Sequence, residues 1–168
     1  MNTTAIPPSS AGVDTLARLV AIEDIRQLKS RYFSAVDTKD WQAIARIFTE
    51  DAKVDFSGEC QYHVGHHGVT DESINPADWV VIGGKATAEV IEGAVGGIIA
   101  VHQGHDPQIQ IDTVETASGR WTLYDRLDYG PEVMHGYGHY DEKYRLVDGE
   151  WRIAALTLTR ICVAWETR

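Results

Sequence analysis

From Asp14 onward the apolar positions along the chain fall into two rhythms. Leu16, Leu19, Ile22, Ile25, Leu28, Tyr32 and Val36 recur at three- and four-residue steps with charged residues between them, the period of a helix that buries one face. The spacing predicts a first helix from Asp14 to Val36 with that whole stripe inward. Asp40 stands where a second, short helix over Trp41 to Phe48 needs an N-cap, since its carboxylate can accept a backbone N–H of the first turn. Ala52 to Phe56 reads as a strand that Gly58 ends.

Glu59 to Gly84 is polar, rich in Gly and His, and reads as a long loop or lid with room for one short strand. A third helix is expected from Lys85 to Val101, interrupted near Gly96-Gly97 because paired glycines weaken a helix, with His102 at its end. The second rhythm then takes over. Gln108–Glu115, Gly119–Tyr129, Val133–Val147 and Glu150–Trp165 alternate as strands, separated by turn-forming residues of which Asp148-Gly149 is a strong hairpin signal. Three helices and a short strand followed by a four-stranded antiparallel meander is an α+β layout, with the helices on one face of the sheet.

With 168 residues the chain suits one domain, able to bury roughly two-thirds of its unfolded surface. Residues 1–12 are rich in Thr, Ser and Pro and read as a flexible tail without the basic and apolar regions of a secretory signal; residues 13–168 form the domain. The net charge of -10, from 15 Lys and Arg against 25 Asp and Glu, with no basic run, argues against nucleic acid and anionic membranes as partners. No apolar run is long enough to span a bilayer. Cys60 and Cys162 form no C-x-x-C, and a reduced, cytoplasmic setting is the simplest expectation.

Alternation makes one residue chemically conspicuous. On the strand Arg120–Tyr129, one face carries Trp121, Leu123, Asp125, Leu127 and Tyr129, so Asp125 is the lone charge on an apolar face. Such a carboxylate costs several kcal/mol unless it is paired, hydrogen-bonded or protonated. It is either a catalytic group or an ion-paired structural one. Asp37 follows the stripe of the first helix and has no capping task, because Asp40 already performs it. At a helix C-terminus its charge opposes the macrodipole; a solvated turn aspartate is the plain alternative. His102 and His105 sit at the expected helix-to-strand junction, where an imidazole suits proton transfer. His63, His66 and His67, with Asp71 and Glu72 nearby, lack the rigid spacing of a metal site and read as a solvated lid. Neither P-loop, nucleotide-binding glycine fingerprint nor serine nucleophile elbow is present, consistent with chemistry that needs no cofactor.

Three segments together resemble the nuclear transport factor 2-like superfamily in its SnoaL-like branch: Ile22–Ile25 through Tyr32 to Asp37, Trp41 and Phe48; Val101–His105; and Gly138–Tyr140 through Tyr144-Arg145 to Asp148–Ile153. The resemblance implies a cone-like curved sheet, mixed or antiparallel, wrapped around N-terminal helices as an α+β barrel with a deep apolar pocket. It is similar to the branch that holds bile acid 7α-dehydratase, scytalone dehydratase and hexachlorocyclohexane dehydrochlorinase. By order along the chain that likeness implies catalytic roles for Tyr32, Asp37, His102, Asp125 and Arg160, and substrate contacts for Trp121, Tyr140 and His105. Arg160 lies on a strand that does not alternate cleanly, which suggests a bulge.

The expected function is a cofactor-independent lyase in which an Asp37–His102 pair removes a proton from a hydrophobic, hydroxylated cyclic or aromatic small molecule. An isomerase or polyketide cyclase of the same fold, and a non-catalytic ligand-binding module, are the alternatives. The resemblance also implies a homo-oligomer, dimer or trimer, and Trp165 near the C-terminus suits its interface.

Overall fold

The computed structural model describes residues 14–168, so the expected tail of residues 1–12 lies outside the described residues. Helix α1 (Thr15–Thr38) is followed by α2 (Trp41–Ile47), β1 (Phe48–Gly58), a segment of three 3-10 turns, β2 (Val80–Ile82), α3 (Gly84–Val95) and the meander β3 (Ile99–Ile111), β4 (Thr116–Asp128), β5 (Glu132–Val147) and β6 (Glu150–Thr167). The six strands form an open mixed sheet in the order β2-β1-β6-β5-β4-β3, with β1 parallel to β6 and every other pairing antiparallel. The sheet is not closed: β2 and β3 remain edges, so the barrel expected from the resemblance is an open, curved cone.

Local chemistry explains the element ends. Lys39 adopts the left-handed conformation (φ 65°) and its N–H closes α1 on the carbonyls of Ala35 and Val36. Asp40 accepts the Ala43 N–H at 2.9 Å and caps α2. Two expectations need correction. The helical stripe is buried only from Ile25 to Val36, while Leu16 and Leu19 are 67% and 58% exposed, because the first turns of α1 extend beyond the elements that cover the rest. Helix α3 stops at Val95 instead of bending at the glycines, and β-branched Ile98 and Ile99 follow. His102 is therefore a strand residue, fourth in β3. That edge strand also tolerates Pro107, beside a register shift between His105 and Gln108.

Alternation in β4 and β5 sets the core. Trp121, Leu123, Asp125 and Leu127 are buried on β4, and Met134, Gly136, Gly138, Tyr140, Glu142 and Tyr144 on β5, all facing the helices. One cation enters this core from the buried stripe of α1. Lys29 Nζ lies 2.5 Å from Glu142 Oε1 and over the Tyr140 and Tyr32 rings, 3.7 and 4.3 Å from their centroids. Tyr144 donates to the other Glu142 oxygen at 2.5 Å, so the carboxylate is satisfied on both sides. Among the described residues no helix is long and apolar enough to cross a membrane.

Candidate active site

A cavity of about 390 Å³ opens between the sheet, α1, α3 and the segment from Glu59 to Trp79, a size typical of small-molecule pockets. Its walls are mainly apolar, and a few ionisable groups converge on it. At one place Asp37, in the last turn of α1, reaches β3. Its carboxylate lies 2.7 Å from His102 Nδ1 and also accepts the His102 backbone N–H at 3.0 Å. The second contact follows from topology. Because β3 is an edge, alternate N–H groups point away from β4 and need a partner from elsewhere. The helix carboxylate thus holds both the backbone and the ring of His102, leaving Nε2 as the nitrogen free to exchange a proton.

Directly across the strand pair, Asp125 stands opposite His102. Arg160 on β6 meets it through two nearly parallel N–H donations, at 2.7 and 3.0 Å. The neighbour on the other side, Gly136 of β5, makes this possible: a Cβ there would sit 2.2 Å from Asp125 Oδ1 and 2.3 Å from Arg160 Nη1. The register shift after Tyr137 pairs Gly138 with Arg160 but Tyr137 with Cys162, so one residue bulges in β6 as its broken alternation suggested. Arg160 also lies 2.9 Å from Glu59 Oε2. One guanidinium therefore serves two carboxylates. Burial pushes the Asp125 carboxyl up; Arg160 opposes this and Glu59 adds to it, and the net direction is upward because the guanidinium is shared. Burial acts the same way on Glu59, but Arg160 and His63, by charge and hydrogen bond, outweigh it and hold that carboxyl down to about 2.

Of the residues singled out by sequence, Tyr32, His102, Asp125 and Tyr140 border the cavity, while Asp37 and Arg160 stand behind His102 and Asp125. Tyr32 and Tyr140 are buried, which pushes both phenols up and keeps them protonated as hydrogen-bond donors. Two expected substrate contacts are not at the cavity. Trp121 shares the inner face with Asp125 but lies four residues earlier on the strand, where its Nε1 donates to Tyr144 at 2.8 Å. His105, an odd number of residues from His102 along β3, falls on the opposite face and is exposed.

The histidine segment is no solvated lid. His63 is buried, with Nε2 3.0 Å from Glu59 Oε1 and Nδ1 2.9 Å from His67 Nε2. His66 stacks on Trp165 with ring centroids 4.0 Å apart and meets Glu132 at 3.0 Å. The acidic partners are thus Glu59 and Glu132 rather than the exposed Asp71 and Glu72. Trp165, expected at an intermolecular interface, packs within this chain under this segment and donates to the Tyr62 carbonyl at 3.1 Å. Sequence reading missed Glu59, His63, His67 and Tyr129 as cavity residues; the Glu59–His63 spacing of four was the available signal. Among the described residues, no group of three or more His, Cys, Asp or Glu side chains is arranged to hold a metal ion.

An open cone of sheet over three helices with its ionisable groups inside defines the class, and residues 17–157 match the SnoaL-like domain family. The chain belongs to that family. Among solved structures it is similar to a scytalone dehydratase-like protein from Novosphingobium aromaticivorans, 19% identical, covering 90% of this chain and 91% of that one with a TM-score of 0.72. It is similar also to a type 2 hexachlorocyclohexane dehydrochlorinase, 16% identical over 92% and 94% of the two chains with a TM-score of 0.72. A protein of unknown function with a cystatin-like fold from Nostoc punctiforme is 12% identical over 89% and 94%, with a TM-score of 0.63. At these identities the likeness is one of fold.

Proposed function

We propose that this chain is a lyase that eliminates water from a hydrophobic, hydroxylated cyclic or aromatic molecule. The observation that carries the reading is the pairing of Asp37 with both the ring and the backbone of His102 beside an apolar cavity. Asp37 accepts the Nδ1 proton and orients the ring, so neutral His102 offers Nε2 as a base. That nitrogen takes a proton from a substrate carbon, and the C–H electron pair becomes the new carbon–carbon double bond. The neighbouring C–O bond breaks, and its electrons are met by a proton from Asp125, whose carboxyl is pushed up by burial. Tyr32 donates a hydrogen bond to the departing oxygen. Water leaves, and a proton passing from His102 back to Asp125 through the active-site solvent resets both groups.

The test is a screen of hydroxylated cyclic compounds for products lighter by one water, followed by His102→Ala. The expected loss of turnover is at least ~100-fold. Turnover near that of the unchanged protein in His102→Ala overturns the mechanism, and a product of unchanged mass would assign an isomerase instead.

A further inference from the structure

Asp125, the acid of the elimination, stands where a carboxyl group is ordinarily kept ionised. It accepts both prongs of the buried Arg160 guanidinium, at 2.7 and 3.0 Å, and a two-point arginine fork favours the charged carboxylate. A third group changes this balance. Glu59 Oε2 lies 2.9 Å from Arg160 Nη2, the same nitrogen that stands 2.7 Å from Asp125 Oδ2.

Two irregularities of the sheet bring Glu59 there. Strand β1 runs parallel to β6 and, after a register shift beyond Asp55, pairs Gly58 with Thr159. The next residues along the two chains are Glu59 and Arg160. Gly58 permits the approach, because a Cβ on it would stand 2.6 Å from the Leu158 carbonyl oxygen. On the other side, the register shift in β6 sets Arg160 opposite Gly138, with its side chain buried.

Two carboxylates on one guanidinium leave the trio with one negative charge in excess, and binding a proton removes it. The remaining contacts decide which carboxylate takes that proton. Glu59 has a second partner, since its Oε1 lies 3.0 Å from His63 Nε2. His63 is buried beside Trp79 and Trp165, with ring centroids 5.7 and 6.1 Å away. An imidazolium and a neutral imidazole with its proton on Nε2 both donate there, so either charge state of His63 stabilises ionised Glu59. Among the described residues, Asp125 accepts side-chain hydrogen bonds from Arg160 alone. The other titratable groups around it are His102 across the strand pair, which already has Asp37 as its partner, and the phenols of Tyr32 on α1, Tyr129 just beyond β4 and Tyr140 on β5. Helix α3 adds only apolar residues to the cavity. Burial raises both carboxyls; at Asp125 Glu59 adds to the rise against the pull of Arg160, and at Glu59 the pull of Arg160 and His63 prevails.

We propose that Glu59 is a positioning residue for the proton donor: it competes with Asp125 for the one guanidinium between them, while His63 keeps Glu59 itself ionised, so the proton rests on Asp125. Glu59 acts through Arg160. The assignment rests on the reading of Asp125 as the acid of the elimination and supplies the reason that a carboxyl group in an arginine fork can serve as one.

The test follows the side-chain carboxyl carbons in carbon-13 spectra of the full chain across pH, without substrate. In the unchanged protein Asp125 should titrate above the ordinary aspartate value of about 4. Glu59→Gln has nearly the same shape and keeps an oxygen toward Arg160 but carries no charge. A purely structural Glu59 would leave Asp125 unmoved by this change; here the proton affinity of Asp125 should fall about tenfold. An Asp125 that titrates at or below the ordinary value in the unchanged protein, or identically in the two proteins, overturns the proposal. His63→Phe is decisive even if Glu59→Gln fails to fold. It keeps an aromatic ring beside Trp79 and Trp165 and removes the donor to Glu59, whose own proton affinity should rise about tenfold; an unmoved Glu59 overturns the assignment. Failure of the elimination reading appears in the turnover of His102→Ala, and failure of this one in a titration that needs no substrate.

Discussion

Two buried ion-pair groups lie on the inner face of the same sheet, and they are built on different charge arithmetic. Lys29 and Glu142 are one cation and one anion, both wholly buried, 2.5 Å apart and enclosed by Tyr32, Tyr140 and Tyr144. Arg160 instead lies between two carboxylates, Asp125 and Glu59, on the wall of the cavity. A one-to-one pair with a partner on each carboxylate oxygen has no charge left over, and burial without surplus suits a structural element. Two anions sharing one cation cannot both be fully compensated. Burial raises the Asp125 carboxyl against the pull of the shared guanidinium, while Arg160 and His63 together outweigh burial at Glu59 and lower it.

Breaking the balanced pair should have the largest effect. Lys29→Met leaves Glu142 buried without its counterion and should cost about 3–5 kcal/mol in urea unfolding, whereas Lys29→Met with Glu142→Leu should recover most of it. Equal losses in the single and double variants would show that the pair itself contributes little.

The unbalanced group should reveal itself through pH. Glu59 has a folded value of about 2, below its ordinary 4.5, so its contribution is complete above about 4.5 and is lost as pH falls toward 2. On the order of a few kcal/mol is at stake. Asp125 has the opposite sign: its raised value favours the protonated folded state, a contribution present at low pH and lost as pH rises through the folded value. Denaturation measured across pH should therefore show a shallower acid limb in Glu59→Gln than in the unchanged protein; an identical limb would remove Glu59 from the account.

Gly136→Ala should cost about 1–3 kcal/mol by overpacking, because the new methyl enters the space of Asp125 and Arg160. It should also lower turnover by more than it raises KM, since it displaces the acid rather than the cavity wall. Normal kinetics would place the Asp125–Arg160 geometry outside the reaction. The smallest effects belong to the two residues that sequence order had placed at the substrate. Trp121→Phe should cost about 1 kcal/mol for the bond to Tyr144 and His105→Ala within about 0.5 kcal/mol for an exposed site, with kcat/KM unchanged in both.

Much of this molecule was legible from local pattern. Helical period placed Tyr32 inward, strand alternation did the same for Asp125, and Asp40 and Asp148-Gly149 marked a cap and a hairpin where the structure has them. These succeed because a side chain's face depends on the torsion angles of its own element, which neighbouring residues specify. The same rule failed where an element boundary was misplaced. His105 was paired with His102 on the expectation of a helix end, and a strand sends residues three apart to opposite faces.

What tertiary structure alone decided is which inward groups meet. Asp37 and His102 are 65 residues apart and touch because β3 is an edge strand under the end of α1. Arg160 reaches Asp125 because β6 bulges beside it and Gly136 leaves the room. The histidine segment, polar in sequence and without a period, is ordered by its own Glu59 and by Tyr129, Glu132 and Trp165, which come from two other parts of the chain. Local periodicity thus determined the direction of each side chain, while strand register, bulges and sheet edges, set by the packing of the whole domain, determined its partner.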